Sequence, residues 1–369
     1  MSFEEKTSEI EQGLKCQGCG AILTYQPGTS YLACSYCGTR NEIADQLPEN
    51  GRIESTDYKV FGAAMEELED DRYSYLAEVV HCGNCGANSR LNAHVTADLC
   101  AFCASPLVID HQQKRIVKPH GVVPFGVDYK SAFGLLTQWA GKVWFAPNDF
   151  KRIFNARNDR LKGVYIPFWS YDADVNSDYV GSRGEYYYVT RTRRNSDGET
   201  EEYEERRTNW YPTSGTVYSQ FKDIVISGST SLPEKFSEKI GPWNLGYLRP
   251  FNEQYLSGFI AETFSVDHVK AATTARAIMD REIERQVEND IGGDTQDIDS
   301  IDSDFKSIKL KYILLPIWLS AYQYKGKSYQ IMVNAFNGKV YGQRPYSFWK
   351  IAFLVLAILI VLYLLSFMG

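Results

Sequence analysis

The sequence predicts an α+β architecture, and three observations carry that expectation. All eight cysteines fall in four Cys-x-x-Cys pairs before residue 104. Aromatic residues make up 14% of the chain, with 25 tyrosines, a composition that leans towards strands. Residues 351–368 run for eighteen positions without a charge. Together these predict two small four-cysteine zinc ribbons, a β-rich body with several helices, and one C-terminal transmembrane helix. The expected segments are ribbon 1 at 1–46, a helical linker at 47–78, ribbon 2 at 79–110, the body at 115–346 and the anchor at 348–369.

The first cysteine set is Cys16, Cys19, Cys34 and Cys37, and the second is Cys82, Cys85, Cys100 and Cys103. Fourteen residues separate the two pairs in each set, and adding 66 to every position of the first gives the second. Such a constant shift marks an internal duplication. Two residues between cysteines make a tight knuckle, so both sulfurs reach one tetrahedral zinc at roughly 2.3 Å. Redox dithiols do not come as evenly duplicated quartets, and close pairs of this kind differ from a secreted disulfide framework. Four thiolates fill the coordination sphere, so two structural Zn2+ sites are expected, with no open position for catalysis. Eight thiolates and two divalent ions would take the formal charge from −7 to −11.

Gly20, Gly38 and Gly86 follow the second cysteine of their pairs, where positive φ lets backbone amides turn towards sulfur. Ala104 stands at the fourth such position and predicts a looser knuckle. Residues 21–33 are long enough for a hairpin between knuckles. Each ribbon is too small for a core of its own, so zinc is expected to supply much of its folding free energy. His81 and His94 have ligand chemistry, but with four cysteines already present they read as surface residues.

In the linker, Val60, Phe61, Ala64, Met65 and Leu68 have helical spacing, so 57–71 reads as a spacer helix packed between the ribbons. Residues 122–125 read as a strand. Asp128 then caps a helix over 129–140 closed by Gly141, and Pro147 opens another to about residue 158. Residues 163–171 read as a buried strand with Pro167 at an edge or bulge. Residues 185–211 read as a hairpin turning at Asn195-Ser-Asp-Gly198. Arg191, Arg193 and Arg194 then face Glu199, Glu201, Glu202 and Glu204 across the strands. An arginine patch for lipid or nucleic acid is the competing reading.

Residues 259–264 read as a strand, and 267–290 as one long helix ending at Gly292-Gly293. Val269, Ala272, Met279, Ile283 and Val287 are expected along its apolar face. Residues 294–304 hold five aspartates but lack the mid-loop Gly and closing Glu of a calcium hand, so they read as a solvated linker. Leu314-Leu-Pro316-Ile-Trp318 echoes Tyr165-Ile-Pro167-Phe-Trp169, so the body is expected to contain two related β units. Asn337-Gly338 turns a last hairpin.

At the helical rise the uncharged tail spans roughly 27 Å, against about 30 Å for the hydrocarbon core of a bilayer. Phe348 and Trp349 are expected at the interface, with Lys350 snorkelling between them. The first residues are acidic and carry no apolar run. Lys339, Arg344 and Lys350 precede the span and no Lys or Arg follows it. The expected arrangement is a single-pass tail anchor in the cytoplasmic membrane, with the N-terminal bulk in the cytosol.

No phosphate-binding Gly-x-x-x-x-Gly-Lys-Ser/Thr loop, nucleophile elbow, metalloprotease motif or dinucleotide loop occurs. None of the five histidines (81, 94, 111, 120, 268) stands in a recognisable catalytic pattern, so the expectation is not an enzyme. The cysteine quartets, the two proline–tryptophan strands, Tyr255-Leu-Ser-Gly-Phe259 and Asn337-Gly-Lys-Val340 together resemble a family of bacterial membrane-anchored proteins. These carry paired TFIIB-type zinc ribbons and are sometimes labelled primosomal protein N prime or helicase-like. The resemblance implies recruitment of phage-shock-protein-A-like and SPFH (flotillin-like) proteins to the membrane. The expected function is therefore a membrane-anchored zinc-binding scaffold or adaptor. The alternative is a nucleic-acid-binding protein whose ribbons stack bases on Tyr25, Tyr31, Tyr36 and Phe102. Those aromatics read equally as packing around zinc hairpins, and the chain is not basic overall.

Overall fold

The computed structural model describes residues 14–43, 53–67, 73–90, 99–107, 112–147, 161–194, 199–233 and 235–366. The expected helix after Pro147, the turn at 195–198, Leu68, His94 and His111 lie outside them. The architecture is α+β, with two cysteine clusters and one C-terminal apolar helix. Ribbon 1 is a three-stranded sheet of β1 (Thr24–Tyr25), β2 (Tyr31–Ala33) and β3 (Arg40–Glu42). Next come β4 (Thr56–Asp57), α1 (Tyr58–Glu67), β5 (Ser74–His81), β6 (Asn88–Arg90) and β7 (Gln112–Val117). The body continues with β8 (Gly121–Val122), α2 (Tyr129–Lys142), β9 (Leu161–Arg194), β10 (Thr200–Ser227), α3 (Phe236–Ile240) and β11 (Arg249–Pro250). It closes with β12 (Ile260–Glu262), α4 (His268–Ile291), β13 (Thr295–Tyr324), β14 (Lys327–Asn334), β15 (Val340–Gly342) and α5 (Phe348–Ser366).

Among the described residues, twelve strands from β4 to β15 form one sheet. Its centre is built from two β-α-β-β units, β8-α2-β9-β10 and β12-α4-β13-β14. The long strands β9 and β13 pair antiparallel from Leu161↔Ser320 to Gly184↔Thr295. Each unit lends its short first strand to the other. Strand β12 runs parallel to β9 at Val164 and Tyr165, and β8 runs parallel to β13 at Ile313 and Leu314. Two residues later each long strand carries its proline, and there its neighbour changes. β10 takes over from Phe168 and β14 from Ile317.

Pro167 and Pro316 are thus interior, and Pro167 lies neither at an edge nor at a bulge, the two places expected for it. They sit at a junction between two neighbours, where the missing N–H removes no ladder bond. Their carbonyls accept from Gly228 N and Ala335 N. The tryptophans two residues on complete the correspondence. Trp169 Nε1 donates to Val266 O at 2.9 Å, and Trp318 Nε1 to Val127 O at 2.7 Å. Val266 and Val127 precede Asp267 and Asp128, which cap α4 and α2 by accepting from Lys270 N and Ser131 N. Each indole therefore clips one unit's long strand to the start of the other unit's helix. The two related β units expected from the sequence echo are this pair.

Side-chain alternation along β9 and β13 sorts residues into two cores. Tyr165, Trp169, Leu314 and Trp318 face one, with Leu136 of α2, Met279 of α4 and Phe61 of α1. Ile166, Phe168, Ile313 and Leu315 face the other, with Phe236 and Ile240 of α3. Both faces are covered, which is why these stretches read as continuous apolar runs. Phe61 is fully buried against Trp169, His120 and His268. The linker helix accordingly docks on the body rather than lying between ribbons. Residues 74–78, counted with the helical linker, belong to β5.

Strand β9 is 34 residues long, on the order of 100 Å if fully extended. Helix α4 packs along its distal part, on β9, β10 and β13. The buried row is Ala271, Ala275, Met279, Ile283, Val287 and Ile291. Val269, expected on this face, is exposed because it lies about 200° around the helix from Ala271. The acidic stretch 294–304 is not a linker. It forms the start of β13, with Ile298, Ile301 and Phe305 packed against the core. Bulges between Ile298 and Ser300 and between Phe305 and Ser307 reset the alternation that the sequence hides. Beyond Gly184, β9 leaves β13 and continues with β10 alone. On this bare hairpin Arg193 pairs with Glu201 at 3.1 Å and Arg191 pairs with Glu205.

Candidate metal centres

The four cysteines of each ribbon converge, with all Sγ atoms of a set within 4.8 Å of one another. Cys82–Cys103 and Cys85–Cys100 stand 3.8 and 3.7 Å apart, and Cys16–Cys37 and Cys19–Cys34 both 3.5 Å. A tetrahedron with metal–sulfur bonds of roughly 2.3 Å has edges of about 3.8 Å, so the sulfurs fit a zinc ion. They are far too distant for disulfides. Cys16, Cys19, Cys34 and Cys37 would hold one ion, and Cys82, Cys85, Cys100 and Cys103 the other. His81 takes no part: its Nδ1 meets Asn88 Oδ1 at 2.9 Å.

Four copies of one backbone turn build the two sites. Cys16 N, Cys34 N, Cys82 N and Cys100 N donate to the carbonyls of Ala21, Thr39, Ala87 and Ser105. Gly20 N, Gly38 N, Gly86 N and Ala104 N donate back to the carbonyl of the first cysteine of each pair. All four residues have positive φ, from 71° to 77° at the glycines and 56° at Ala104. The knuckle expected to be looser keeps the same bonds and instead carries a strained alanine.

The thiols of each set are not equivalent. A hydrogen bond from the Thr39 side chain brings Cys37 down to about 6. Burial pushes Cys103 up, but hydrogen bonds from Ser105 and Asn84 outweigh it and bring it to about 6. Burial pushes Cys85 up to about 12 and Cys100 still further in the same direction. Like charges crowded into one small site cannot all ionise unaided. A bound dication is what would let all four sulfurs act as thiolates, and it would supply structural cross-linking rather than chemistry.

Both ribbons are seated on the body. Leu23, Tyr25 and Leu32 of ribbon 1 lie in the first core. Tyr25 packs on Tyr255 and Phe259, its N–H donates to Ser257 O, and Ser257 Oγ donates to Leu23 O at 2.5 Å. The Tyr255-Leu-Ser-Gly-Phe259 stretch is therefore the seat of ribbon 1. Ribbon 2 joins the large sheet through β6, which pairs with β12. Gln330 Nε2 donates to Phe102 O, and Phe102 is buried in the second core. Of the four aromatics considered for base stacking, Tyr25 and Phe102 are buried and Arg40 lies over the ring of Tyr31, while Tyr36 is exposed.

Helix α5 is apolar apart from Lys350 in its first turn and Ser366 at its end, and none of its hydrophobic window is buried. It is long and apolar enough to cross a membrane. Its first turn is tied to the segment after α2. Lys350 Nζ donates to Trp144 O and Ala146 O at 3.1 and 2.7 Å, and Ser347 N donates to Phe145 O. The Lys350 ammonium thus meets protein carbonyls, where the sequence suggests only snorkelling to the interface. Nothing local in the sequence signals that contact, since the partners are some two hundred residues apart.

Two other buried titratable groups, His120 and Lys311, are held by partners inside the fold. Burial holds His120 down at about 4, between Thr56 and the Tyr312 amide. Lys311 bonds to Asp223 and Asp172. No family model matches the chain, and no solved structure matches it. The chain is 26% identical over 342 residues to an uncharacterized protein, YdjG, of Bacillus subtilis (strain 168), an alignment covering 92% of this chain and 91% of that protein.

Proposed function

We propose that this protein is a membrane-anchored zinc-binding scaffold whose bulk lies in the cytosol and which holds protein partners at the bilayer. One observation carries the reading: two closed four-sulfur sites and an uncovered apolar helix occur in one chain. Saturated sites leave no position for substrate, so their role is shape. Anchoring raises the local concentration of whatever binds, so modest contacts suffice. The family resemblance names the partners to test, phage-shock-protein-A-like and SPFH proteins. The bare hairpin of β9 and β10, with exposed Tyr188, Tyr203 and Trp210, adds a projecting surface for them.

Two measurements test the reading. Removal of residues 348–369 is expected to release a folded protein holding two zinc ions into the soluble fraction. A fragment that still pellets with membranes would make the body the principal membrane binder and end the tether idea. A pull-down from detergent-solubilised membranes, with and without Cys82→Ser, is expected to lose partners with the variant. An unchanged partner set moves the contact surface away from ribbon 2.

A further inference from the structure

Among the described residues, the segment after α2 carries a patch that the body leaves exposed. Trp144 is 61% exposed and packs against Phe145, and Tyr346 and Trp349 are 63% and 70% exposed. Lys142 and Arg344 flank these residues in the chain, with Arg344 over the Tyr346 ring. Exposed tryptophan and tyrosine mixed with basic side chains is the composition of a membrane–water interface, where rings lie at headgroup depth and cations meet anionic lipid.

The position of Trp144 along the anchor is fixed by hydrogen bonds. Its own carbonyl accepts from Lys350 Nζ, and the next carbonyl accepts from Ser347 N. Trp144 therefore lies within about one helical turn of the residues that begin the span. If α5 enters the hydrocarbon at Ile351, Trp144 stands at headgroup level.

We propose that Trp144, with half-buried Phe145 beside it, forms a second membrane contact, in which Trp144 inserts into the headgroup layer of an anionic bilayer next to the anchor. The proposal rests on the anchor reading above. Its consequence is orientation: a second contact with the bilayer, added to the hydrogen bonds that tie the start of the anchor to the body, holds the body in one pose relative to the membrane. Strand β9 starts opposite Ser320, level with Ile331 of β14 and with Gly342, where β15 ends and the chain leads into α5, and it runs away from that end. The bare hairpin is then held at the pole distal to the bilayer.

The test uses the full chain in membranes, with the photoreactive aromatic p-benzoylphenylalanine placed singly at 144, 349 or 210. Trp144 is exposed, so Trp144→p-benzoylphenylalanine is expected to fold and keep two zinc ions. After irradiation, lipid adducts at 144 should exceed those at the hairpin position 210 by about tenfold or more, with adducts also at 349. Adducts at 349 but only background at 144 overturn the second contact and leave the anchor intact. Background at both 144 and 349 removes the anchor reading and this proposal with it.

Discussion

Ala104 holds a backbone conformation that its three counterparts give to glycine. With φ at 56° it retains both knuckle hydrogen bonds and accepts a left-handed strain of about 1 kcal/mol or slightly more. Ala104→Gly should relieve that strain and offset it only in part by unfolded-state entropy. The expected outcome is a gain of up to about 1 kcal/mol, read as a higher melting temperature and slower zinc loss to a chelator. A second residue carries a pH signature. Burial pushes Glu262 up to about 7, against bonds from the Ser231 and Ser229 side chains, and its Oε2 has no hydrogen-bond partner among the described residues. A raised acid binds its proton more tightly in the folded state. Its contribution is therefore full below the unfolded value near 4.5 and is lost as pH rises through about 7. Glu262→Gln should be near neutral at pH 4 and stabilising at pH 8, by on the order of 3 kcal/mol. Parallel denaturant curves at the two pH values would show this, and equal effects at both would refute it.

At the scale of elements, the two β-α-β-β units are held by equivalent contacts. The indoles of Trp169 and Trp318 each reach the residue before an aspartate N-cap, across from one unit to the other. Replacing either by phenylalanine leaves most apolar volume in place but orphans a carbonyl at the helix start. Trp169→Phe and Trp318→Phe should each cost about 1–3 kcal/mol, and the two costs should be similar. A large difference by chemical denaturation would mean that the correspondence is geometric only. The junction prolines belong to the same scale. They interrupt nothing because each lies where one parallel neighbour ends and an antiparallel one begins.

At the scale of the molecule, the ribbons are structural parts of the body and not appended heads. Leu23, Tyr25 and Leu32 are each almost fully buried in the main core. Burying such a side chain is worth about 1.5–3 kcal/mol. Loss of zinc from ribbon 1 should therefore destabilise the whole protein by several kcal/mol. Calorimetry of the full chain in detergent, with and without chelator, should show the main transition moving to lower temperature. A body that melts unchanged after zinc removal would contradict this coupling.

What the sequence determined by itself is whatever depends on neighbours within a few residues. The cysteine knuckles, their duplication, the Asp128 and Asp267 caps and the uncharged tail are all of that kind. Each needs only local spacing, because a knuckle, a cap or a membrane span is satisfied by its own stretch of chain. The tertiary structure alone decided which strands meet. Residues 294–304 look like a solvated loop because a bulge between Ile298 and Ser300 breaks their alternation, and only pairing with β9 and cover from α4 make them a strand. The exchange of β8 and β12 between units and the bond from Lys350 to the Trp144 carbonyl likewise join residues far apart in the chain. A strand's partner is fixed by the edge and face that remain available after everything else has packed, and local periodicity carries no record of that.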